Sequence, residues 1–207
     1  MVHWSAEDMQ ARAASPRDRL LAAAVDYVVA NGISNLSLRE LAAAIGTSHR
    51  MLIYHFGSKE GLLVAVIRSV EAAQREFFGQ LLRAQPELSP GDGIRLMWRH
   101  FTDPQFAPHE RLFFEIYAQA LQGRPGTTGL LDDVVDAWIE PVAVYAIARG
   151  VPAEAARADA RLGVAVIRGL LLDLLATSNR SAVDAALERY IAQYEGLLAR
   201  APSRASC

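Results

Sequence analysis

Four consecutive side chains at residues 48–51 have the chemistry needed to contact the edge of a nucleic-acid base. Ser48 offers a hydroxyl, His49 an imidazole, Arg50 a guanidinium and Met51 a thioether. A guanidinium carries paired N–H donors that match the two acceptors of guanine in the major groove. The pattern therefore predicts a base-reading segment in which Arg50 is the principal candidate.

The residues that follow are suited to phosphate contact. Lys59 is the only lysine in the chain, and it comes directly after Ser58, a predicted helix N-cap. The first amide groups of a helix and its positive dipole end attract a phosphate, and a lysine there adds a compact, mobile charge. Tyr54 and His55 supply further donors, and Arg39 is expected to reach the backbone on the other flank. Such contacts position a protein on DNA without reading its sequence.

Two short predicted helices, at residues 38–45 and 48–56, would position these side chains. Ser37 and Ser48 are suitable N-caps, and Gly46 begins the turn between the helices. Two helices joined by so short a turn form a helix-turn-helix, whose second helix enters the major groove with its first residues leading. Helix pairs of this kind also occur in ordinary bundles, so the geometry alone leaves both DNA binding and simple packing open.

No acidic residue lies between residues 41 and 59, where the charged side chains are Arg50 and Lys59. A phosphate backbone would therefore meet no repulsion from this segment. The whole chain has a formal net charge of −2, so any attraction to nucleic acid must come from such a local patch.

The rest of the sequence predicts an all-α protein of about nine helices. Strand-like alternation is scarce, and helix starts are marked by Ser-Pro and capping-box patterns. The predicted helices cover residues 16–31, 38–45, 48–56, 59–83, 90–102, 108–122, 127–149, 153–177 and 181–200.

The breaks between helices predict an organisation into domains. An N-terminal helix-turn-helix domain and a larger ligand-binding and dimerisation domain are joined by a connecting helix, and flexible tails flank them. The predicted ranges are 1–14 for the first tail, 15–58 for the helix-turn-helix domain, 59–83 for the connecting helix, 84–200 for the larger domain and 201–207 for the second tail.

Composition favours a cytoplasmic protein. The chain of 207 residues is 52% hydrophobic, and its single cysteine, Cys207, permits no disulfide within one chain. The first ten residues do not resemble a secretory signal. The apolar runs are far shorter than the ~18 residues of a membrane span, so no membrane partner is expected.

Residues 17–63 resemble the DNA-binding domain of TetR-family (tetracycline-repressor-like) transcriptional regulators. The resemblance rests on an ordered set of short motifs at matching spacing. They are Ala22–Tyr27, Gly32-Ile33, Ser37-Leu38-Arg39-Glu40-Leu41-Ala42, Ile45-Gly46-Thr47-Ser48, Leu52, His55-Phe56, Ser58-Lys59-Glu60 and Leu62-Leu63.

One position departs from the pattern of that family. Members usually carry a phosphate-contacting tyrosine directly after the leucine of the recognition helix, and Ile53 stands there in this chain. Tyr54 lies about 100° further round the helix. The sequence leaves open whether Tyr54 replaces that contact. Thr47 also stands where valine is usual.

The last two helices have the character of an oligomer interface. Residues 162–176 are apolar on nearly every side, and the final helix carries a continuous apolar stripe. The resemblance implies that these helices pair with their copies across a two-fold axis; an intramolecular core is the alternative. The candidate interface residues are Leu170, Leu174, Leu187, Ile191, Tyr194 and Leu198.

Residues 90–149 are rich in large aromatic side chains with polar groups between them. The resemblance implies that these helices enclose a cavity for a small organic effector, whereas core packing is the ordinary explanation for each aromatic taken singly. The candidate lining residues are Trp98, Phe101, Phe114, Tyr117 and Trp138.

Together these features predict a ligand-responsive transcriptional regulator, most simply a repressor that binds a palindromic double-stranded operator as a homodimer. An all-helical enzyme and a protein-binding adaptor are the rival classes. The sequence has no His-Glu-x-x-His, no Glu-x-x-His pair and no phosphate-binding loop motif. We therefore expect no catalytic residues, no metal site and no cofactor.

Overall fold

The computed structural model describes residues 15–31, 37–85 and 87–200, except for the side chains of residues 197, 199 and 200. Within these ranges the α-helices number nine and no β-strand occurs, which confirms the all-α prediction. The helices are α1 Pro16–Asn31, α2 Leu38–Ala44, α3 His49–Phe56, α4 Lys59–Ala84, α5 Pro90–Phe101, α6 Ala107–Leu121, α7 Asp136–Ile147, α8 Ala153–Thr177 and α9 Arg180–Arg200. The two predicted tails, with Cys207, lie outside the described residues.

Serine side chains cap α2 and α3 as predicted. The Ser37 hydroxyl accepts hydrogen bonds from the amides of Arg39 and Glu40. Ser48 accepts from the Met51 amide at 3.2 Å. Each cap satisfies an amide that has no partner within its own helix, and so fixes where the helix begins.

The single helix predicted over residues 127–149 is wrong in its first part. That stretch contains a short 3-10 helix, Thr128–Asp132, and then α7, which begins at Asp136. Gly126 adopts φ +84°, and Leu130 is buried with 1% of its surface exposed. Turn residues 133–135 separate the 3-10 helix from α7, where helical periodicity alone suggested one continuous helix.

The chain forms two compact units. Of the described residues, those within 15–73 and 105–132 form unit 1, and those within 74–104 and 133–200 form unit 2. The helix α4 contributes to both units, with residues 59–73 in the first and 74–84 in the second. The predicted functional division at residues 58 and 83 stays a prediction.

Helix packing in unit 1 builds the surroundings of the helix-turn-helix. In this unit α1 contacts α2 and α6, α2 contacts α3, and α6 contacts the 3-10 helix Thr128–Asp132. The apolar side chains Leu41, Leu52 and Leu112 are almost fully buried. Their burial is the main source of stability that holds the short helices α2 and α3 in place.

In unit 2, α8 packs along both α7 and α9, and α9 packs against α5. Small side chains permit the close approach of α7 and α8, because Ala143, Ala156 and Ala160 are buried in one apolar cluster with Ile139. In the part of the chain that the structure describes, no helix is both long and apolar enough to cross a membrane.

Candidate nucleic-acid interface

The turn between α2 and α3 brings the two helices into fixed contact. Gly46 adopts φ +70°, a left-handed conformation that few other residues accept. The Thr47 amide then donates to the carbonyl of Ala42 at 2.8 Å, which closes the turn. Leu52 on α3 is 1% exposed and anchors that helix to the core. The opposite face of α3 is therefore held outward.

The outward face of α3 and the neighbouring start of α2 carry most of the side chains that the sequence singled out. Met51 is 39% exposed and Tyr54 is 78% exposed. The other candidates that lie on the exposed surface are Arg39, Ser48, His49 and Arg50. A duplex that approaches α3 would meet these side chains first.

His55 and Lys59 are less exposed than the other candidates. The His55 ring makes edge contacts with Tyr54 and Phe56, with centroids 4.9 and 6.4 Å away. Its Nε2 atom is buried and has no hydrogen-bond partner among the described residues. A DNA contact through that nitrogen would need the ring to turn, so His55 supports the position of Tyr54 as much as it offers a donor.

The junction between α3 and α4 is tight, and it fixes Lys59 relative to α3. Gly57 turns the chain with φ +77°. The Ser58 hydroxyl accepts from the Gly61 amide at 2.9 Å and caps α4. A Cβ atom at Gly61 would lie 2.2 Å from the carbonyl oxygen of Phe56, so only glycine fits there.

The charge around this junction is favourable to a polyanion. Glu60 is the one acidic residue in the first turn of α4, and Arg124 Nη2 lies 3.4 Å from its Oε1 atom. That pairing offsets the carboxylate next to Lys59. Arg50 and Lys59 are then the cations closest in sequence to the capped helix start, which is suited to hold a phosphate.

Comparison with protein-family models gives a match over residues 20–66, which run from α1 into α4. The matching model describes bacterial regulatory proteins of the tetR family. The chain belongs to the TetR family.

Known proteins similar to the chain agree with this assignment. The HTH-type transcriptional repressor NicS of Pseudomonas putida is 29% identical over 93 residues, which are 44% of each chain. The matches span about half the length of the curated relatives. Those relatives are named as transcriptional regulators, in agreement with the expectation that the chain is not an enzyme.

Solved structures extend the likeness to most of the chain. The multidrug binding protein EbrR in complex with imidazole is 30% identical, with a TM-score of 0.56, and the match covers 84% of this chain and 88% of EbrR. Structures of EbrR with ethidium and with proflavin are also similar. A TetR regulator from Legionella pneumophila shares the fold, with 18% identity, a TM-score of 0.60 and coverage of 87% and 97%.

The TetR-family departure at residues 53 and 54 has a clear structural counterpart. Ile53 is partly buried, whereas Tyr54 on the same helix is 78% exposed. The phenol of Tyr54 is therefore available to a phosphate from its own position. A role for Tyr54 in place of the usual tyrosine stays a prediction.

The five candidate effector-binding residues fall in both units. Phe114 and Tyr117 belong to unit 1, where both contact Phe113. Phe101 and Trp138 belong to unit 2 and contact each other at a centroid distance of 5.6 Å.

Trp98 in unit 2 has a structural role. It is 3% exposed, and its indole N–H donates to Asp184 at 2.6 Å. This hydrogen bond ties α5 to α9 and uses the only polar atom of the side chain. The indole N–H of Trp98 is therefore not available to an effector.

Unit 2 contains aromatic and polar neighbours that sequence reasoning did not include among its candidates. Phe78 contacts Phe101 and Trp138 at 5.6 and 6.4 Å, and it contacts His100 at 5.5 Å. One turn before Phe78 on α4, Gln74 is 2% exposed, and neither polar atom of its amide has a hydrogen-bond partner among the described residues. The spacing of residues 74 and 78 on one helical face was the available signal.

The predicted interface residues divide into two groups. Leu187 is 2% exposed and Ile191 is 0% exposed, so both pack within their own chain. We therefore place these two in the core of unit 2. The remaining four, which are Leu170, Leu174, Tyr194 and Leu198, are partly buried.

Proposed function

We propose that the chain is a ligand-responsive transcriptional regulator that binds duplex DNA through α3 and the first turn of α4. The observation that carries this proposal is the outward face of α3. It presents Arg50 and its neighbours next to a capped helix start that bears Lys59, with no acid between residues 41 and 59. Arg50 reads a guanine edge, while Lys59 and the start of α4 hold a phosphate.

The regulator acts as a homodimer on a palindromic site. Two copies of α3 separated by one duplex turn, ~34 Å, read two half-sites in adjacent major grooves. An exposed apolar stripe on α8 supports the pairing. Leu162 is 54% exposed and Leu172 is 51% exposed, and these two leucines lie on the same face as Gly169.

Gly169 supports a close approach by a second copy of the chain. A Cβ atom at this position would meet nothing within 4 Å, and the residue is exposed. Gly163 differs, since a Cβ there would lie 3.0 Å from the Tyr190 hydroxyl of the same chain. Gly163 therefore serves the packing of α8 on α9, while Gly169 is open to the partner helix.

The effector is a flat organic molecule that binds at the aromatic cluster of unit 2. Phe78, Phe101 and Trp138 supply ring faces, and Arg75 Cζ lies 5.6 Å from the Trp138 ring centroid. The buried Gln74 amide can donate and accept hydrogen bonds. EbrR, 30% identical to this chain, is a multidrug binding protein with structures that contain imidazole, ethidium and proflavin.

Selection from a random duplex library tests the DNA proposal. The purified chain should enrich a symmetric sequence, and Arg50→Ala should remove the preference at one base pair of each half-site. Arg99→Ala is the matched control, because Arg99 is an exposed arginine on α5 in unit 2. Recovery of no enriched sequence, even at low salt, would contradict DNA recognition by this surface.

Titration with proflavin and ethidium tests the effector proposal. Either dye should raise the melting temperature of the chain and lower its affinity for the selected duplex. Gln74→Leu should raise the melting temperature of the free chain, because it removes a buried amide with unmet hydrogen bonds, and should weaken dye binding. Gln80→Leu, at an exposed position of the same helix, should do neither. Equal dye binding by the two variants would remove Gln74 from the site.

A further inference from the structure

The start of α4, which the proposed function assigns to phosphate binding, is in contact with a distant part of the sequence. Residues 123–132, hereafter the 123–132 segment, follow α6 and contain the 3-10 helix Thr128–Asp132. This segment belongs to unit 1, as do α1, α2, α3 and the first part of α4. We infer that the 123–132 segment positions the start of α4 for DNA binding, and this inference rests on the proposed function.

The closest contact is between Gly126 and the N-cap of α4. A Cβ atom at Gly126 would lie 2.9 Å from Ser58 Oγ, 3.2 Å from Glu60 Cβ and 3.7 Å from the Gly61 nitrogen. The Ser58 hydroxyl is held by its cap hydrogen bond to the Gly61 amide, so it cannot yield without opening the first turn. The backbone at residue 126 therefore abuts the group that caps α4.

Two arginines hold the segment against α4 on either side of this contact. Arg124 Nη2 lies 3.4 Å from Glu60 Oε1 in the first turn. Two turns further along α4, Arg68 donates to the carbonyl of Gly129 and lies 3.6 Å from Asp132. Neither ion pair is deeply buried, so each contributes only modestly to the stability of the fold. Together they fix the position of the segment at separate points along α4.

The segment is held in place by its own hydrogen bonds and by burial of two of its side chains. The Arg124 amide donates to the Gln119 carbonyl at 3.1 Å, which joins the segment to the last turn of α6. The Thr127 hydroxyl donates to the Arg124 carbonyl at 2.7 Å. Thr127 and Leu130 are 0% and 1% exposed. These contacts fix the backbone of the segment relative to the last turn of α6.

The start of α4 is in turn held close to the end of α3. Only glycine fits at residue 61, because a Cβ there would meet the Phe56 carbonyl oxygen at 2.2 Å. The Ser58 amide donates to that same carbonyl at 2.9 Å. The contacts of the 123–132 segment with Ser58 therefore extend to Phe56, the last residue of α3. Arg124 and Gly126 are positioning residues, and neither is required to touch DNA.

Two glycines of this segment provide a matched pair for the test. Gly123 and Gly126 both have positive φ, +73° and +84°, so alanine introduces similar backbone strain at either position. A Cβ at Gly123 meets nothing within 4 Å, whereas one at Gly126 meets Ser58. Gly123→Ala therefore controls for backbone strain and lost stability. Gly126→Ala introduces similar strain and also places a Cβ atom against the N-cap of α4.

The first measurement is amide hydrogen exchange of residues 58–63 in the full chain without DNA. Gly126→Ala should increase exchange there by about tenfold over Gly123→Ala, with similar melting temperatures for the two variants. Equal exchange in both variants would overturn the inference. This measurement needs no DNA, so it tests the contact between Gly126 and the start of α4 independently of DNA binding. If the wild-type chain bound no duplex, that result would contradict the proposed function but not this contact.

The second measurement is duplex affinity as a function of salt. Gly126→Ala should bind all duplexes about tenfold more weakly than Gly123→Ala, and its salt slope should be smaller by about one, since one phosphate contact is lost. Arg124→Glu should weaken binding, and the double change Arg124→Glu with Glu60→Arg should restore most of it. Equal affinities for the two glycine variants, or no rescue by the exchanged pair, would overturn the role in DNA binding.

Discussion

The two units of the chain carry their candidate sites in opposite ways. Unit 1 presents polar and charged side chains on the outside of one short helix, and Tyr54 there is 78% exposed. Unit 2 holds an aromatic cluster from α4, α5 and α7, with Trp138 8% exposed and Gln74 2% exposed. The first arrangement suits a large rigid partner with a charged surface, and the second suits a small molecule that is removed from water.

The two sites also differ in how their side chains are held in place. Ser48 and Ser58 fix α3 and the start of α4 through local cap hydrogen bonds at 3.2 and 2.9 Å. The cluster of Phe78, Phe101 and Trp138 depends on contacts between residues that are far apart in the sequence. Local hydrogen bonds therefore set where the helices of the recognition surface begin, whereas the interior cluster depends on tertiary packing throughout.

The largest effect should come from disrupting the proposed dimer. Leu172→Asp places a carboxylate on the exposed apolar stripe of α8, where the proposed pairing would bury it. We expect a monomer by analytical ultracentrifugation. Affinity for a palindromic duplex should fall roughly 100-fold to 10,000-fold, because the second half-site is no longer tethered.

Val144→Asp is the control for that change. Val144 is 61% exposed on α7, also in unit 2, but lies outside the stripe on α8. It should leave both the oligomeric state and DNA affinity unchanged. A dimer that survives Leu172→Asp would rule out this face of α8 as the interface.

The next effect concerns the interior of unit 1. His109 in the first turn of α6 is 2% exposed, and neither ring nitrogen has a hydrogen-bond partner among the described residues. Burial lowers the pKa of His109 to about 4, from an ordinary value of 6.5. Between these pH values the unfolded chain binds a proton that the folded chain does not.

The free energy of unfolding should therefore fall as the pH drops from about 6.5 to about 4, by as much as about 3 kcal/mol from this group. Urea unfolding across that range measures it. His109→Leu should flatten the dependence, and His49→Leu, at an exposed position, should preserve it. Parallel curves for wild type and His109→Leu would show that His109 does not titrate in this way.

Arg50→Ala tests whether the exposed face of α3 reads sequence. It should cost ~1–3 kcal/mol on the best duplex and much less on unrelated duplexes, because a guanine contact is lost and phosphate contacts remain. Competition binding with single-base variants of the site measures this directly. A uniform loss on every duplex would instead assign Arg50 to a phosphate.

Lys59→Ala should have the smallest effect on duplex affinity, and the pattern of the loss distinguishes a phosphate contact from a base contact. All duplexes should bind more weakly by a similar factor, and the salt slope should shrink by about one. Lys59→Arg should keep the slope, since the charge at the helix start is retained. A change in base preference would place Lys59 in a groove rather than on the backbone.

Sequence reasoning reached most of the fold because the signals are local. Ser37 and Ser48 predict helix starts through hydrogen bonds to amides within the next four residues, and the structure confirms both caps. The prediction of one helix over residues 127–149 failed in its first part, where a 3-10 helix with buried Leu130 precedes α7. Helical periodicity alone does not contain that information.

The candidate sites follow the same rule. The exposed residues of α3 were predictable because, in a helix-turn-helix, the first residues of the second helix face the major groove. The apolar stripe of α9 was assigned to a partner, yet Leu187 and Ile191 pack within their own chain. An apolar stripe indicates that one face of a helix is buried, but it does not indicate whether the same chain or a partner buries that face. The spacing of residues 74 and 78 puts Gln74 on the same helical face as Phe78, but its burial without hydrogen-bond partners among the described residues is visible only in the structure.

Site-specific crosslinking tests the central claim, that α3 faces DNA, most directly. A benzophenone amino acid would replace Tyr54 in one sample and Leu121 in another; these residues are 78% and 65% exposed, and both lie in unit 1. With the selected duplex bound, irradiation should crosslink position 54 to DNA and leave position 121 free. Crosslinking at position 121 but not at position 54 would contradict the account.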